Sequence, residues 1–332
     1  MYTTIYTDKV PILLEQLANT SEMQRLADIG MHCGCDYTKY QFYRKAGTPY
    51  SRLIHSIGVA KIVWNFTHDL RQAAAGLFHD IATPVFAHTI DFMQGDHMTQ
   101  ESTEDKTLSF IESSREITKL LKQYQIRIDE VSDYHKYPIA DNDTPMLSAD
   151  RLEYTIGNGF CVCNRELEAL RGIYQDLIVV HNEYGNEELC FQTIEAARKF
   201  TEISLENSRF FVSDEDRFAM QYLAEIMRFA LEKGVVLPEE LYLTEREVIH
   251  KLNNDPSVSK MWRDYTELSA VSVSKEKPIN QYSVNVSAKK RYIDPLVLSE
   301  DSPRRLSVVD TGMGEQIQAF LDTDFNQWIF AI

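Results

Sequence analysis

The sequence predicts a mainly α fold: a helical bundle with further helices packed on it and a small C-terminal β-containing appendage. Three observations carry this. Only 23 of the 332 residues are glycine or proline, about 7 % against roughly 12 % in average proteins. An all-β sandwich needs a turn every 8–12 residues or so, which so few turn-formers do not supply. Apolar residues recur at three-to-four spacing as far as residue 270 or so, and then the pattern changes to alternation.

The elements follow in order. Ile12, Leu13, Leu14 and Leu17, then Met23, Leu26 and Ala27, keep a helical period, with Thr20-Ser21-Glu22 between them as a helix cap. Ser51 to Phe66 carries Leu53, Ile54, Ile57, Val59, Ala60, Ile62, Val63 and Trp64. These are apolar on more than one face, which predicts a largely buried helix. Arg71 to His79 is Ala-rich and stops before Thr83-Pro84. Ser213 with Asp216 caps a helix that runs through Phe229 to Lys233 and ends at Gly234. Thr244 to Glu247 is a capping-box pattern. Val271-Ser-Val-Ser, the stretch from Tyr282 to Ser287, and Leu306-Ser-Val-Val alternate with period two and read as strands. The expected organisation is an N-terminal helical segment (1–45), a metal-binding core (46–165), a helical extension packed on it (166–270) and a mixed α/β region (271–332).

The formal net charge is −16. A nucleic-acid duplex or an anionic membrane surface would repel such a chain, so neither is expected as a partner. No apolar run approaches the roughly 20 residues that span a bilayer. The first residues lack the basic and apolar regions of a signal peptide. The five cysteines are an odd number, which with the missing signal suits a reducing cytoplasm.

Chemistry concentrates in histidines and aspartates on apolar helices. His55 lies in Leu-Ile-His-Ser-Ile, His79-Asp80 ends the Ala-rich helix, and Asp150 opens Asp-Arg-Leu-Glu-Tyr. A lone histidine on an apolar helix is usually a hydrogen-bonded core residue. Several such groups together are different, because a buried uncompensated aspartate costs several kcal/mol. One divalent metal would satisfy all four side chains, and the mixed N/O set suits Mn, Fe, Co, Ni, Zn or Mg. His68-Asp69, in a polar stretch between two helices, reads instead as a solvated loop or cap.

His55, His79-Asp80 and Asp150 resemble the metal-binding signature of the HD superfamily of phosphohydrolases. The blocks Thr20 to Leu26, Ser51 to Val59, His79 to Asp91 and Asp150 to Tyr154 resemble its deoxynucleoside-triphosphate triphosphohydrolase branch in order and spacing. The resemblance spans residues 10–160 or so and implies an HD-domain bundle with His55, His79, Asp80 and Asp150 as metal ligands. It further implies phosphate contacts from Arg52, Arg151 and Tyr154, and a His88–Asp91 pair beside the scissile phosphate. Arg52 and His55 at i, i+3, like Asp150 and Tyr154 at i, i+4, share a helix face. The bland alternatives are surface ion pairs for the arginines, packing for Tyr154 and a structural hydrogen bond for His88 and Asp91.

The chain departs from the branch twice. Thr83 stands where a second histidine is usual, and Gln100 stands before Glu101 where a His-Glu pair is usual. Glu101 is kept and would orient His88 or a neighbour. A glutamine cannot donate to a leaving group as an imidazolium can, and His97 is displaced by most of a helical turn.

The reading is a cytoplasmic, oligomeric, metal-dependent phosphohydrolase acting on a small phosphorylated substrate, a nucleotide. By the resemblance, water would attack a deoxynucleoside triphosphate to release nucleoside and triphosphate. Two rivals are a phosphohydrolase of another phosphorylated metabolite and a metal- and nucleotide-binding sensor with little turnover. Three smaller features remain. Cys33, Cys35, Cys161 and Cys163 read as buried thiols rather than a zinc site, since Cys-x-Cys is not the usual spacing. His135 reads as a loop histidine rather than a ligand of a second metal. Lys289-Lys290-Arg291 reads as a solvent-facing edge strand, with a phosphate or effector contact as the alternative.

Overall fold

A computed structural model describes residues 2–7, 9–44, 49–95, 106–300 and 302–332. The described residues are mainly helical, with six short strands among them. At their centre the Arg52–Thr67 helix packs against the Leu70–Phe78 and Ala149–Cys161 helices. Ser51 caps the first of these, its hydroxyl accepting from the Ile54 N–H. Leu53, Val59, Ala60, Ile62 and Val63 on it are buried, as its all-round apolar pattern predicts. The Ala-rich partner comes close because Gly76 has no side chain. A Cβ there would meet Val59 Cγ1 at 3.2 Å and Val63 Cγ2 at 3.3 Å.

Between these helices His68 turns left-handed with φ 52. Asp69 then caps the next helix by accepting from the N–H groups of Arg71 and Gln72, the cap that the polar stretch predicts. The Asp214–Glu232 helix starts at a Ser213 cap and stops before Gly234, which has φ +69. The capping box of Thr244 and Glu247 is formed. Thr20 stands at a helix start, but its hydroxyl donates back to the Leu17 carbonyl at 2.7 Å instead of capping forward.

β1 (Leu177–His181), β2 (Glu187–Phe191), β4 (Leu296–Ser299) and β5 (Ser302–Arg305) form one sheet in that order, and β3 (Val271–Ser274) pairs with β6 (Trp328–Ala331). The β1–β2 hairpin lies within the stretch 166–270 that the sequence reads as a helical extension, between the Leu167–Gln175 and Ile194–Phe210 helices. Its other neighbour, β4, arrives only from the C-terminal region. Arg305 forks onto Glu188 of β2 at 2.6 and 2.8 Å. Glu188 also accepts from the Leu147 N–H at 3.1 Å. The appendage is thereby tied to the loop that enters the Asp150 helix.

Two further strand expectations are corrected. Leu306–Val309 is helical: Asp294 accepts from the Ser307 N–H at 2.9 Å and from its hydroxyl at 2.5 Å, capping the turn from a distant part of the chain. From Tyr282 to Arg291 the backbone is irregular apart from one bridge, Val284 to Ile329. Lys289-Lys290-Arg291 is therefore not an edge strand.

Candidate functional site

The described residues enclose a cavity of about 990 Å³. His55, His79, Asp80, Asp150, Arg52, Arg151, Tyr154 and His88 all line it. Asp91 lies buried beneath His88. Glu101 and its neighbours Gln100 and His97 fall outside the described residues.

Each polar group has a helical reason for its place. His55 comes one turn after the Ser51 cap, and His79 and Asp80 follow the C-terminus of the Ala-rich helix. Asp150 stands in the first turn of the Ala149–Cys161 helix, capped by Ser148. Tyr154 follows one turn later on the same face.

The two imidazoles meet head to head, with 3.1 Å between their Nε2 atoms. His79 Nδ1 lies 2.7 Å from the Gly76 carbonyl oxygen, which can only accept. His55 Nδ1 lies 2.5 Å from Glu153 Oε2. The Tyr50 hydroxyl donates to that same carboxylate at 2.6 Å. A neutral imidazole has one N–H, so when both rings are neutral and donate at Nδ1 their Nε2 lone pairs face each other. Carboxylates add to this: Asp150 Oδ1 is 2.9 Å from His55 Nε2 and 3.7 Å from His79 Nε2. Asp80 Oδ2 is 3.5 Å from His79 Nε2 and 3.9 Å from His55 Nε2. Donor atoms of His55, His79 and Asp80 all lie within 4.8 Å of one another. Such a convergence of lone pairs fits a cation, with Gly76 and Glu153 holding the rings from behind.

The same carboxylates favour positive charge at this point, supplied by a second proton on His55 or, in its place, by a cation. Burial opposes charge on His55, but Asp150 and Glu153 outweigh it and push its pKa up to about 10. Burial likewise opposes charge on Asp80, and Arg52, His79 and His55 outweigh it, so the carboxyl sits well below the usual range. Asp150 is depressed against burial by His55 and His79.

Arg52 donates from one nitrogen to both Asp80 oxygens, at 3.0 and 3.2 Å. Its Nε is buried without a hydrogen-bond partner. Thr83, the departure from the branch, donates to Asp80 Oδ1 at 2.8 Å and so fixes which oxygen faces the histidines. Arg151 is held by Asn142 Oδ1 at 2.7 Å and the Met146 carbonyl at 2.8 Å. His88 Nδ1 is 2.9 Å from Asp91 Oδ2. Burial, with Arg291 and Arg52, lowers the His88 pKa despite Asp91, which keeps the ring neutral near pH 7 with Nε2 as the acceptor.

One residue escapes sequence reasoning, and two features named there also reach the cavity. Glu153 is fully buried behind His55. A Cβ on Gly58 would lie 2.5 Å from its Cγ, so the glycine makes room for it. Their common signal is a second acid one turn after Asp150. Lys289, exposed, and Arg291, half-buried, line the cavity, where the alternative reading of a phosphate contact would need them. His135, an exposed loop histidine, also reaches the cavity rim, with Asp133 Oδ1 at 3.2 Å and Asp141 Oδ2 at 3.6 Å. The four-cysteine alternative is not formed among the described residues: the metal-capable cluster is His55–His79–Asp80, and the cysteines are free thiols.

No family model matches the chain. Over 311 residues it is 25 % identical to the uncharacterized protein YdhJ of Bacillus subtilis (strain 168), covering 92 % of this chain and 89 % of that one. Over 147 residues it is 26 % identical to the metal-dependent phosphohydrolase cns2 of Cordyceps militaris, covering 44 % of this chain and 40 % of that one. Two solved structures superpose on 97 % of the chain. A phosphohydrolase from Bacteroides thetaiotaomicron does so with TM-score 0.66 over 96 % of its length, at 14 % identity. A hypothetical protein from Aquifex aeolicus does so with TM-score 0.65 over 93 % of its length, at 15 % identity. The fold is shared with a phosphohydrolase. Among the described residues, no helix is long and apolar enough to cross a membrane.

Proposed function

We propose that this chain is a metal-dependent phosphohydrolase of the HD type, acting on a nucleotide. The observation that carries the reading is the convergence of the His55 and His79 Nε2 atoms, 3.1 Å apart and flanked by Asp80 and Asp150. The partial likeness to a metal-dependent phosphohydrolase and the fold shared with another support it. His55, His79, Asp80 and Asp150 would hold one divalent ion. Bound there, such an ion supplies Lewis-acid polarisation of a phosphoryl oxygen.

The chain's own residues account for the remaining work. Asp91 accepts from His88 Nδ1–H and fixes the tautomer, so Nε2 can take a proton from an attacking water. Arg151, Lys289 and Arg291 face the cavity with positive charge and offset the charge of phosphate oxygens. Arg52, which also lines the cavity, secures Asp80. A cavity of about 990 Å³ stands at the upper end of the roughly 300–1,000 Å³ of small-molecule sites and has room for a nucleoside triphosphate. Attack at the α-phosphorus would release nucleoside and triphosphate.

A panel of nucleoside triphosphates and monophosphates, incubated with metal-reconstituted protein and scored for triphosphate against orthophosphate, tests this reading. Triphosphate from a deoxynucleoside triphosphate supports it. Orthophosphate from a monophosphate transfers the activity to another phosphorylated metabolite. Tight binding without product makes the chain a sensor.

A further inference from the structure

The segment joining Asp80 to His88 is an unusual piece of backbone. Phe86 and Ala87 have φ 58 and 42, both left-handed, where side-chain-bearing residues are uncommon. Two such residues in succession persist only where their surroundings hold them. Part of the hold comes from far along the chain. The Val85 N–H donates to the Leu241 carbonyl at 2.8 Å. The Phe86 N–H donates to Glu245 Oε1 at 3.4 Å.

Glu245 is the first residue of the Glu245–Asn254 helix and is only 2 % exposed. Its carboxylate is fully engaged. Oε1 also accepts from the Gly30 N–H at 3.1 Å, and Oε2 accepts from the Tyr37 hydroxyl at 2.7 Å. Gly30 bridges to Ser51, and the Arg52 N–H donates to the Ile29 carbonyl at 2.9 Å. The backbone that meets Glu245 from this side therefore seats the start of the helix bearing Arg52 and His55.

We propose that Glu245 is a positioning residue: one carboxylate oxygen, accepting from both Gly30 and Phe86, fixes His88 relative to the Arg52–His55 helix. It touches neither substrate nor the metal-capable cluster. Its effect on turnover rests on the function proposed above, whereas its effect on the two backbone segments does not. Small displacements of a proton-accepting group are costly in rate, so the loss falls on kcat rather than on binding.

The test compares wild type, Glu245→Ala and Glu245→Gln as full chains reconstituted with Mn²⁺, using thymidine triphosphate as the substrate. Glutamine keeps a carbonyl oxygen for both N–H groups. Glu245→Ala is expected to lower kcat about tenfold or more with KM within about threefold, and Glu245→Gln to restore kcat to within about threefold. Amide hydrogen exchange of metal-free protein forms the second arm: segments 29–31 and 85–88 exchange faster in Glu245→Ala and like wild type in Glu245→Gln. That arm stands even if wild type turns over no nucleotide, an outcome that would overturn the proposed function and not this inference. If Glu245→Ala fails to fold, Glu245→Asp, one methylene shorter, replaces it with an intermediate loss expected. Wild-type kinetics and exchange in the shortened variant, or a glutamine variant as impaired as alanine, would overturn the proposal.

Discussion

Glu153 Oε2 lies 2.5 Å from Nδ1 of His55, and neither side chain is more than 2 % exposed. This contact decides which nitrogen of His55 faces the cavity. Replacing the acid by Glu153→Gln leaves the volume nearly unchanged but removes the charge that holds the ring. Supporting residues of this kind typically contribute 10–100-fold to metal affinity or activity. Titration of Mn²⁺ into chelator-treated protein should therefore show affinity weaker by about that factor, with the fold intact by circular dichroism.

Gly58 makes the same contact testable without touching it. A methyl group there would lie 2.5 Å from Glu153 Cγ and Oε1. Gly58→Ala should lower stability by about 1–3 kcal/mol through overpacking and weaken Mn²⁺ binding together with it. A variant that loses stability while keeping wild-type Mn²⁺ affinity would show that Glu153 has room to retreat.

Thr83 is expected to matter through Asp80. Its hydroxyl is the second donor to that carboxylate after Arg52. Thr83→Val keeps the shape and removes the bond, which should cost roughly 1.5–3 kcal/mol, read as weaker metal binding and lower turnover. Equal activity in the variant would leave the threonine a bystander.

Stability should fall as pH rises from about 4.5 to about 7. Burial, then the charge of Asp36, pushes the Glu245 carboxyl up to about 7 from the ordinary 4.5, against hydrogen bonds from Tyr37, Gly30 and Phe86. Between those values the folded state keeps a proton that the unfolded chain has released, so the ionised form costs stability as pH climbs. The full cost, reached above pH 7, is about 3 kcal/mol. Denaturant midpoints of wild type should therefore drop relative to Glu245→Gln over this window. Parallel curves would show that the carboxyl titrates normally.

The helices were legible because apolar spacing records a buried face directly, as in Leu53 to Val63. The residues the structure gathers around the cavity were legible where they sit on those helices, because a histidine or aspartate on an apolar face has no cheap explanation. Glu153 was not: next to Leu152 and Tyr154 it reads like any solvated helix position, and only Gly58 across the interface reveals its burial. Lys289 and Arg291 were read on a strand because alternation was extended into a segment whose backbone is irregular. The β1–β2 hairpin and the Asp294 cap depend on neighbours far away in the chain. Glu245 is hidden by its own motif, since an acid in the first turn after a capping threonine normally faces solvent.

Salt separates local from long-range attraction. The net charge of −16 repels a polyanionic substrate at a distance, while Arg151, Lys289 and Arg291 act inside the cavity. Raising ionic strength from low values should leave kcat/KM level or raise it. A steep fall would mean that the protein's field attracts substrate.

The central claim is that His55, His79, Asp80 and Asp150 hold a divalent ion on which phosphoester hydrolysis depends. Metal content and nucleoside-triphosphate turnover, measured on one preparation of wild type and Asp80→Ala after identical reconstitution, test it directly. The account predicts one ion per wild-type chain with product formation, and in the variant neither bound ion nor turnover. Metal-free wild type with full activity, or undiminished turnover in Asp80→Ala, would contradict it.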